Sequence, residues 1–286
     1  MKLPSHGLQA FLAVARSGSF TAAAKSQHIT QSALSQRILN LEDELQTTLI
    51  IRDPSALKLT TQGDELLKFC QQQEKLEQEV LGKILAPSKS PVNELSGSIR
   101  VGGYSSVMQS VIMPALSGLM KKNSRLEVTF IVTELRELPG LLRTGKVDFL
   151  VLDHALKRPG TVSHLLGHEE YVWVRGKNMA EREGVFLDHD AEDLFSYEFF
   201  KLQGRKDLPR ARSFLGSIAA IIEGVTLGWG EAIVPRHLIR GRKEIKVVER
   251  QKPMRVPVYL NYFEQPYYTR LQEKVIEELT KGELTL

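Results

Sequence analysis

Cysteine is almost missing from this 286-residue chain, which carries only Cys70. One thiol excludes a disulfide framework and any Cys-rich metal site, and it suits a reducing cytoplasm. Long apolar runs are also missing. No stretch approaches the roughly 20 residues that cross a bilayer. Met1-Lys2-Leu3-Pro4-Ser5-His6 leads into a moderately apolar helix, with neither the apolar centre nor the cleavage site of an export signal. A cytoplasmic protein with no membrane partner is expected. Charge of one sign is scarce: 38 Lys and Arg against 34 Asp and Glu leave +4. That excess permits nucleic-acid binding without demonstrating it, because the clustering of basic residues matters more than their total. Catalytic signatures are lacking. There is no His-Glu-x-x-His, no Walker glycine loop and no Cys-x-x-Cys, and Gly103-Tyr104-Ser105-Ser106-Val107 departs from the nucleophile elbow at its last position. His164 and His168 share an i, i+4 spacing without an evident third ligand. No enzyme activity, metal or cofactor is expected. The 42% hydrophobic content supports two or three domains, at least one with a substantial core.

Residues 19–37 hold two short helical patterns separated by a three-residue turn, the outline of a helix-turn-helix. Ser19 is placed to cap the first helix and Thr30 the second. Ala22, Ala23 and Ala24 are small enough for close helix packing. Leu34, Ile38, Leu41 and Leu45 recur at helical spacing and face inward. Gln31, Ser32, Ser35 and Gln36 form the opposite stripe, hydrogen-bonding side chains at the helix start, where base edges are read. Arg37 flanks them. Ahead of this unit, Leu8, Phe11, Leu12 and Ala15 supply a third helix ending near Ser17-Gly18. Behind it, residues 49–52 and 57–60 read as two strands around Asp53-Pro54-Ser55, the shape of a wing. Arg52, Lys58, Thr60 and Thr61 offer donors to phosphate oxygens.

Phe11, Val14, Gly18-Ser19-Phe20-Thr21, Ala23-Ala24, Thr30-Gln31-Ser32-Ala33, Ser35, Ile38, Leu41-Glu42, Leu45, Leu49, Arg52, Leu59-Thr60 and Gly63 together resemble the winged helix-turn-helix of LysR-type transcriptional regulators. Within that family the run from Arg37 to Glu42 and the helix after Gly63 look most like the branch of the chromosome-initiation inhibitor, which responds to basic amino acids. Two positions depart from the pattern: Gln27 replaces a usual core leucine, and Ile50 a frequent phenylalanine. The resemblance implies a DNA-contacting set of Thr21, Thr30, Gln31, Ser32, Ser35, Gln36, Arg37, Arg52, Lys58 and Thr60.

A long helix follows, with Thr61 as the expected cap and Asp64 three residues on. Leu66, Phe69, Gln73, Leu76 and Val80 step by threes and fours, a coiled-coil seam in an otherwise polar stretch. The resemblance implies that this linker helix pairs with a second copy. Cys70 reads as a small packing residue. Ala86-Pro87-Ser88-Lys89-Ser90-Pro91 has the composition of a hinge. Strands and helices then alternate: strands at 99–102, 126–132 and 147–152, with helices at 107–120 and 135–144 between them. Further strands are expected at 171–174, 197–200, 232–235 and 256–262, and helices at 218–227 and 268–279. This alternation predicts a parallel sheet with helices on its faces, which binds ligands beyond the strand carboxyl ends.

The marks Gly97 to Gly102, Met113-Pro114, Leu141 to Asp148 and Gly224 to Leu238 extend the resemblance across the chain. They imply a two-lobed effector domain of periplasmic-binding-protein architecture. The expected organisation is a DNA-binding domain at 1–65, a linker helix at 62–86, a hinge at 87–96 and an effector domain at 97–286. Lobe I takes 97–154 and 254–286, and lobe II 155–253. Ser105 and Ser106, between a strand and a helix, suit a carboxylate or other anion. Thr133, Asp153 and His154 fall after later strands of the same lobe, and Gln203, Arg205 and Ser217 are placed to close from the other. The resemblance implies as partners an interrupted inverted repeat of double-stranded DNA, a small-molecule effector, RNA polymerase, and further copies of the chain as a homodimer assembling to a homotetramer. A cytoplasmic solute-binding protein or enzyme with an accessory helical domain is the alternative.

Overall fold

The computed structural model describes residues 5–52, 57–85, 94–177, 184–204, 211–249 and 251–282. Capping sets the geometry of the first three helices, α1 (Ser5–Ser17), α2 (Phe20–Ser26) and α3 (Gln31–Leu45). Ser19 accepts a hydrogen bond from the Ala22 N–H and Thr30 from the Ala33 N–H, so each extended residue starts a helix at a fixed angle. Phe11, Val14, Ala23, Leu34, Ile38 and Leu41 are fully buried where the three helices meet. Gln27 falls at the C-cap of α2, half-buried, and Ile29 packs against the core instead. Ile50 is buried where phenylalanine is common.

Strands β1 (Ile50–Arg52) and β2 (Leu57–Leu59) pair antiparallel, Ile50 opposite Leu59, as the wing pattern predicts. The turn at residues 53–55 lies outside the described residues. Helix α4 (Thr61–Ile84) is capped by Thr60, not Thr61. Thr60 stays extended because its N–H still bonds the Leu49 carbonyl, which leaves its hydroxyl to accept from the Gly63 N–H. Gly63 is required there, since a Cβ would stand 2.2 Å from the Leu49 carbonyl oxygen. Leu67 and Cys70 bury one face of α4 in the N-terminal core. Of the expected seam, Phe69, Gln73, Leu76 and Val80 are exposed in the single chain, whereas Leu66 packs against the N-terminal core.

The remainder forms β3 (Ser96–Gly103), α5 (Ser105–Val107), a π-helical turn at Met108–Ile112, α6 (Met113–Lys122), β4 (Arg125–Val132), α7 (Leu138–Arg143) and β5 (Phe149–Leu152). Beyond these come β6 (Thr161–Gly176), β7 (Val185–Asp188), α8 (Phe195–Leu202), β8 (Ala211–Phe214), α9 (Ile218–Thr226), β9 (Glu231–Pro235), β10 (Ile245–Val247), β11 (Met254–Phe263) and α10 (Arg270–Thr280). Among the described residues, a nine-stranded sheet runs β4-β3-β5-β11-β6-β9-β7-β8, with β10 also on β6. It is mixed, not parallel as expected. The β3, β4 and β5 pairings are parallel, as are those of β7 with β8 and β9, but β6 and β11 run antiparallel to their partners. These two long strands pair from Met254 opposite Tyr171 to Phe263 opposite Thr161. They form a ribbon shared by two packed halves, whose cores centre on residues such as Val101 and Val258 in one and Val174 and Val225 in the other.

Residues 197–200, expected as a strand, lie in helix α8. The Asp193 carboxylate accepts from the Phe195 N–H and starts the helix. Ser196, Phe199 and Phe200, at i, i+3 and i+4, are buried, with Phe200 edge-on to Trp173 and Phe186. Aromatic packing at helical spacing overrides the strand preference of the individual residues.

Candidate nucleic-acid interface and effector cleft

The start of α3 presents a polar face because its apolar residues are consumed by the core below. Gln31, Ser32 and Gln36 are exposed and Ser35 and Arg37 half-buried, opposite Leu34, Ile38 and Leu41. Thr21 donates to Gln31 Oε1 at 3.0 Å, and Gln36 Nε2 donates to Asn40 Oδ1 at 2.8 Å, so both glutamines are held in place before any ligand arrives. Thr30 shares its hydroxyl between its cap and Ser32 Oγ, 3.0 Å away. Lys58 is exposed on the wing and Arg52 closes β1. The Thr60 hydroxyl donates to the Thr48 carbonyl at 2.7 Å while capping α4, so its first duty is to the fold. Glu42 has no role in the sequence reading beyond its match to the pattern. Its Oε1 accepts from the Leu49 N–H at 2.7 Å and the Ile50 N–H at 3.1 Å, fastening the wing to α3.

A cleft of about 480 Å³ lies beyond the carboxyl ends of β3 and β5. The anticipated Ser105, Ser106, Thr133, Asp153 and Ser217 all line it. Ser106 is buried, and its first helical turn carries N–H groups without intrahelical partners. Thr133 donates to Glu137, and Asp153 pairs with His154 at 2.6 Å. Ser217 caps α9 through the Ala220 N–H. Gln203 is a correction: it sits at the C-cap of α8, away from the lining, and exchanges hydrogen bonds with the Lys252 backbone. The α8 helix that replaces the expected strand carries it there. Arg205 lies outside the described residues.

The lining holds residues that sequence reasoning passed over. Glu134, Asp153, Asp188, Asp190 and Asp193 place five carboxyls around the cleft, against His189 as the single basic group among the described lining residues. The run Asp188-His189-Asp190-Ala191-Glu192-Asp193 carried that signal in plain view. Asp188 is buried, which pushes its carboxyl up despite the Arg212 guanidinium paired with it. Tyr104 and Tyr171 form part of the wall. Burial, reinforced by the neighbouring Glu169 carboxylate, raises both hydroxyls and keeps them neutral. Glu169 is fully buried, accepts from Tyr171 at 3.1 Å and contacts His237 Nε2 at 2.8 Å. His237 Nδ1 in turn meets Ser110 Oγ at 2.8 Å, joining the element after β9 to the helix beside β3. At the mouth, Glu134 and His189 approach to 3.5 Å and Arg136 and Glu192 to 3.3 Å.

Cys70 is buried in the N-terminal core, where desolvation pushes its thiol up to about 12. Among the described residues, no helix is long and apolar enough to cross a membrane.

Comparison with known proteins matches both parts of the chain. Residues 5–64 match the bacterial regulatory helix-turn-helix domain of the lysR family, and residues 93–282 match the LysR substrate binding domain. The HTH-type transcriptional activator AaeR of Escherichia coli is 27% identical over 293 residues, covering 96% of this chain and 92% of AaeR. ArgP of Mycobacterium tuberculosis superposes with a TM-score of 0.76 at 22% identity, covering 98% of this chain and 97% of ArgP. Full-length LysG of Corynebacterium glutamicum, solved with bound effector Arg, superposes with a TM-score of 0.71 at 18% identity, covering 96% of each chain. A winged helix-turn-helix, joined through a long helix to a two-lobed domain, is thus matched along nearly the whole sequence, and the chain belongs to the LysR family of bacterial transcriptional regulators.

Proposed function

We propose that this regulator reads an interrupted inverted repeat through paired α3 helices and answers to a cationic effector, an amino acid with a basic side chain. The observation that carries the effector class is the cleft lining, which sets four carboxyls, besides the Asp188 already paired with Arg212, against one histidine. A cation entering such a site gains favourable Coulomb energy in a partly desolvated space, whereas an anion meets like charge. Ser105, Ser106 and the adjacent N–H groups receive the effector carboxylate. Asp153, Asp190 and Asp193 face its cationic end, and Thr133 and Ser217 complete the described part of the enclosure. LysG, solved with bound effector Arg, supports the same class.

On the DNA side, Gln31, Ser32, Ser35 and Gln36 read base edges, and Thr21, Thr30, Arg37, Arg52 and Lys58 hold phosphates. Residues 1–65 serve as the DNA-binding domain, 62–86 as the linker helix and 97–286 as the sensor; the expected hinge at 87–96 falls mostly, at 87–93, outside the described residues. The exposed Phe69, Leu76 and Val80 stripe pairs two linker helices, and two dimers form a homotetramer that bends DNA and meets RNA polymerase in the cytoplasm. The protein acts by binding, without chemistry.

A footprint of the full-length protein on the region upstream of its own gene, with and without L-arginine, tests this reading. Salt-sensitive protection of two spaced half-sites, altered by L-arginine or L-lysine and not by L-glutamate, is the expected result. A response to anionic and not to cationic amino acids overturns the effector class, and absence of any preferred duplex overturns the whole reading.

A further inference from the structure

Helix α4 crosses the sensor with one of its charges buried. Lys75 lies in the most polar part of the helix, yet its side chain is only 6% exposed. Its ammonium donates to the Ser98 carbonyl at 2.7 Å and pairs with Asp148 Oδ2 at 3.0 Å. Asp148, itself 7% exposed, also accepts from the Arg100 N–H at 2.8 Å and meets the Arg100 guanidinium at 3.0 Å. Polar contacts flank this triad. Gln78 meets Ser98 Oγ at 3.0 Å, and Arg125 donates to the Gly82 carbonyl at 3.0 Å. One residue before Lys75, Glu74 takes the Arg16 guanidinium of α1 in a two-pronged bond at 2.6 and 3.1 Å. Adjacent residues of one helix therefore grip the DNA-binding unit and the sensor.

The strands that hold Lys75 are those that end in the cleft. Ser98 and Arg100 are the third and fifth of the eight residues of β3, which leads to Ser105 and Ser106, while Asp148 immediately precedes β5, which leads to Asp153. Both strands are parallel neighbours in one sheet, and each has its amino end at α4 and its carboxyl end at the effector site.

The geometry points to Lys75 as a positioning pin that registers the linker helix on lobe I and carries lobe movement to the DNA-binding units. A buried ammonium behaves differently from an apolar contact. It cannot slide past its partners gradually, because any position short of the full set of oxygens leaves a charge desolvated and unpaired. The seat is accordingly occupied or vacated as a whole, the two-state behaviour that coupling between distant sites needs. Effector binding that shifts β3 against β5 changes the fit of Ser98 and Asp148 around the ammonium, and α4 tilts in response. This mechanism rests on the chain acting as the effector-responsive regulator proposed above.

Hydrogen exchange of the full-length chain, with Lys75→Met, Asp148→Asn and the double variant, tests the pin. Each single change is expected to speed exchange in residues 72–84 and 96–100 by about tenfold, a size common for coupling between sites. The double variant is expected to be no worse than the worse single one, because the pair is already broken. Exchange in β6, β9 and β11 stays unchanged. Gln78→Ala, which leaves no buried charge unpaired, gives a smaller rise in the same peptides and guards against a misfolded Lys75→Met. On DNA, Lys75→Met retains wild-type affinity for a single half-site duplex but shifts the footprint over two. Additive effects, a rise spread through both lobes, or an unchanged two-site footprint each overturn the proposal. Should the wild-type chain bind no duplex, the regulator reading fails, while the exchange pattern still decides whether Lys75 is seated as a pin.

Discussion

Replacing Glu42 with alanine removes the acceptor that fastens the wing to the recognition helix, and the structure fixes what that is worth. The two N–H groups it satisfies belong to Leu49 and Ile50, which are 1% and 4% exposed, so water cannot easily replace the missing oxygen. Hydrogen bonds to charged groups each contribute about 1.5–3 kcal/mol, and two sharing one oxygen of a half-buried carboxylate fall at the lower end, about 3 kcal/mol together. Glu42→Gln keeps a carbonyl oxygen in the same place and is expected to cost about 1 kcal/mol. Chemical denaturation followed by far-ultraviolet circular dichroism measures the loss. Trp173 and Trp229 both lie in the sensor, so their fluorescence should not move and serves as an internal control. With the wing loosened, the phosphate contacts proposed for Arg52 and Lys58 should weaken, and the salt slope of DNA binding should fall by about 0.9 for each phosphate no longer neutralised. Amide exchange at Leu49 and Ile50 should rise in Glu42→Ala and stay near wild type in Glu42→Gln. Equal damage from both substitutions, or unchanged exchange at those amides, refutes the reasoning.

Gln31→Ala and Gln36→Ala should relax base preference, while Lys58→Ala should weaken specific and random duplexes alike and lower the salt slope by about 1; competition assays at several salt concentrations separate the two. Leu76→Glu puts a charge into the exposed apolar stripe of α4 and should shift the protein to a smaller species by sedimentation, without lowering the melting temperature of the sensor. Asp193→Asn and Ser106→Ala should each weaken L-arginine binding by about tenfold in calorimetry, the loss expected for one charge-assisted bond. Lys75 and Arg100 hold the Asp148 carboxyl below the usual carboxylate range despite its burial, so its stabilising contribution is complete above that range and fades as pH falls through the lowered value. Lys75→Met removes part of that pull, and acid unfolding should begin at a higher pH; an unmoved acid transition would count against the pairing.

Local chemistry made the DNA-binding half readable. Ser19, Thr30 and the Leu34, Ile38 and Leu41 stripe act within a few residues of one another, so spacing alone placed them. The Thr60 cap was missed by one residue because strand pairing to Leu49, a long-range interaction, decides which threonine remains extended. The same limit explains α8, where the packing of Phe200 against Trp173 and Phe186 comes from sequence-distant strands. Sequence position found Ser105, Ser106 and Asp153 because cleft residues follow strand ends. It failed for Gln203, whose position depends on α8, and for Lys75, which looks like one more solvated lysine. The clue to Lys75 was its place beside the docking stripe of Gly63, Leu67 and Cys70.

The lone thiol equips this chain with a natural reporter. Cys70 is 5% exposed on the helix that joins the two halves, and its proton is held up to about 12. Alkylating reagents attack thiolates, so labelling must wait for α4 to lift away from the three-helix unit. Its rate then times that opening in unmodified protein, with no cysteine to remove and none to introduce.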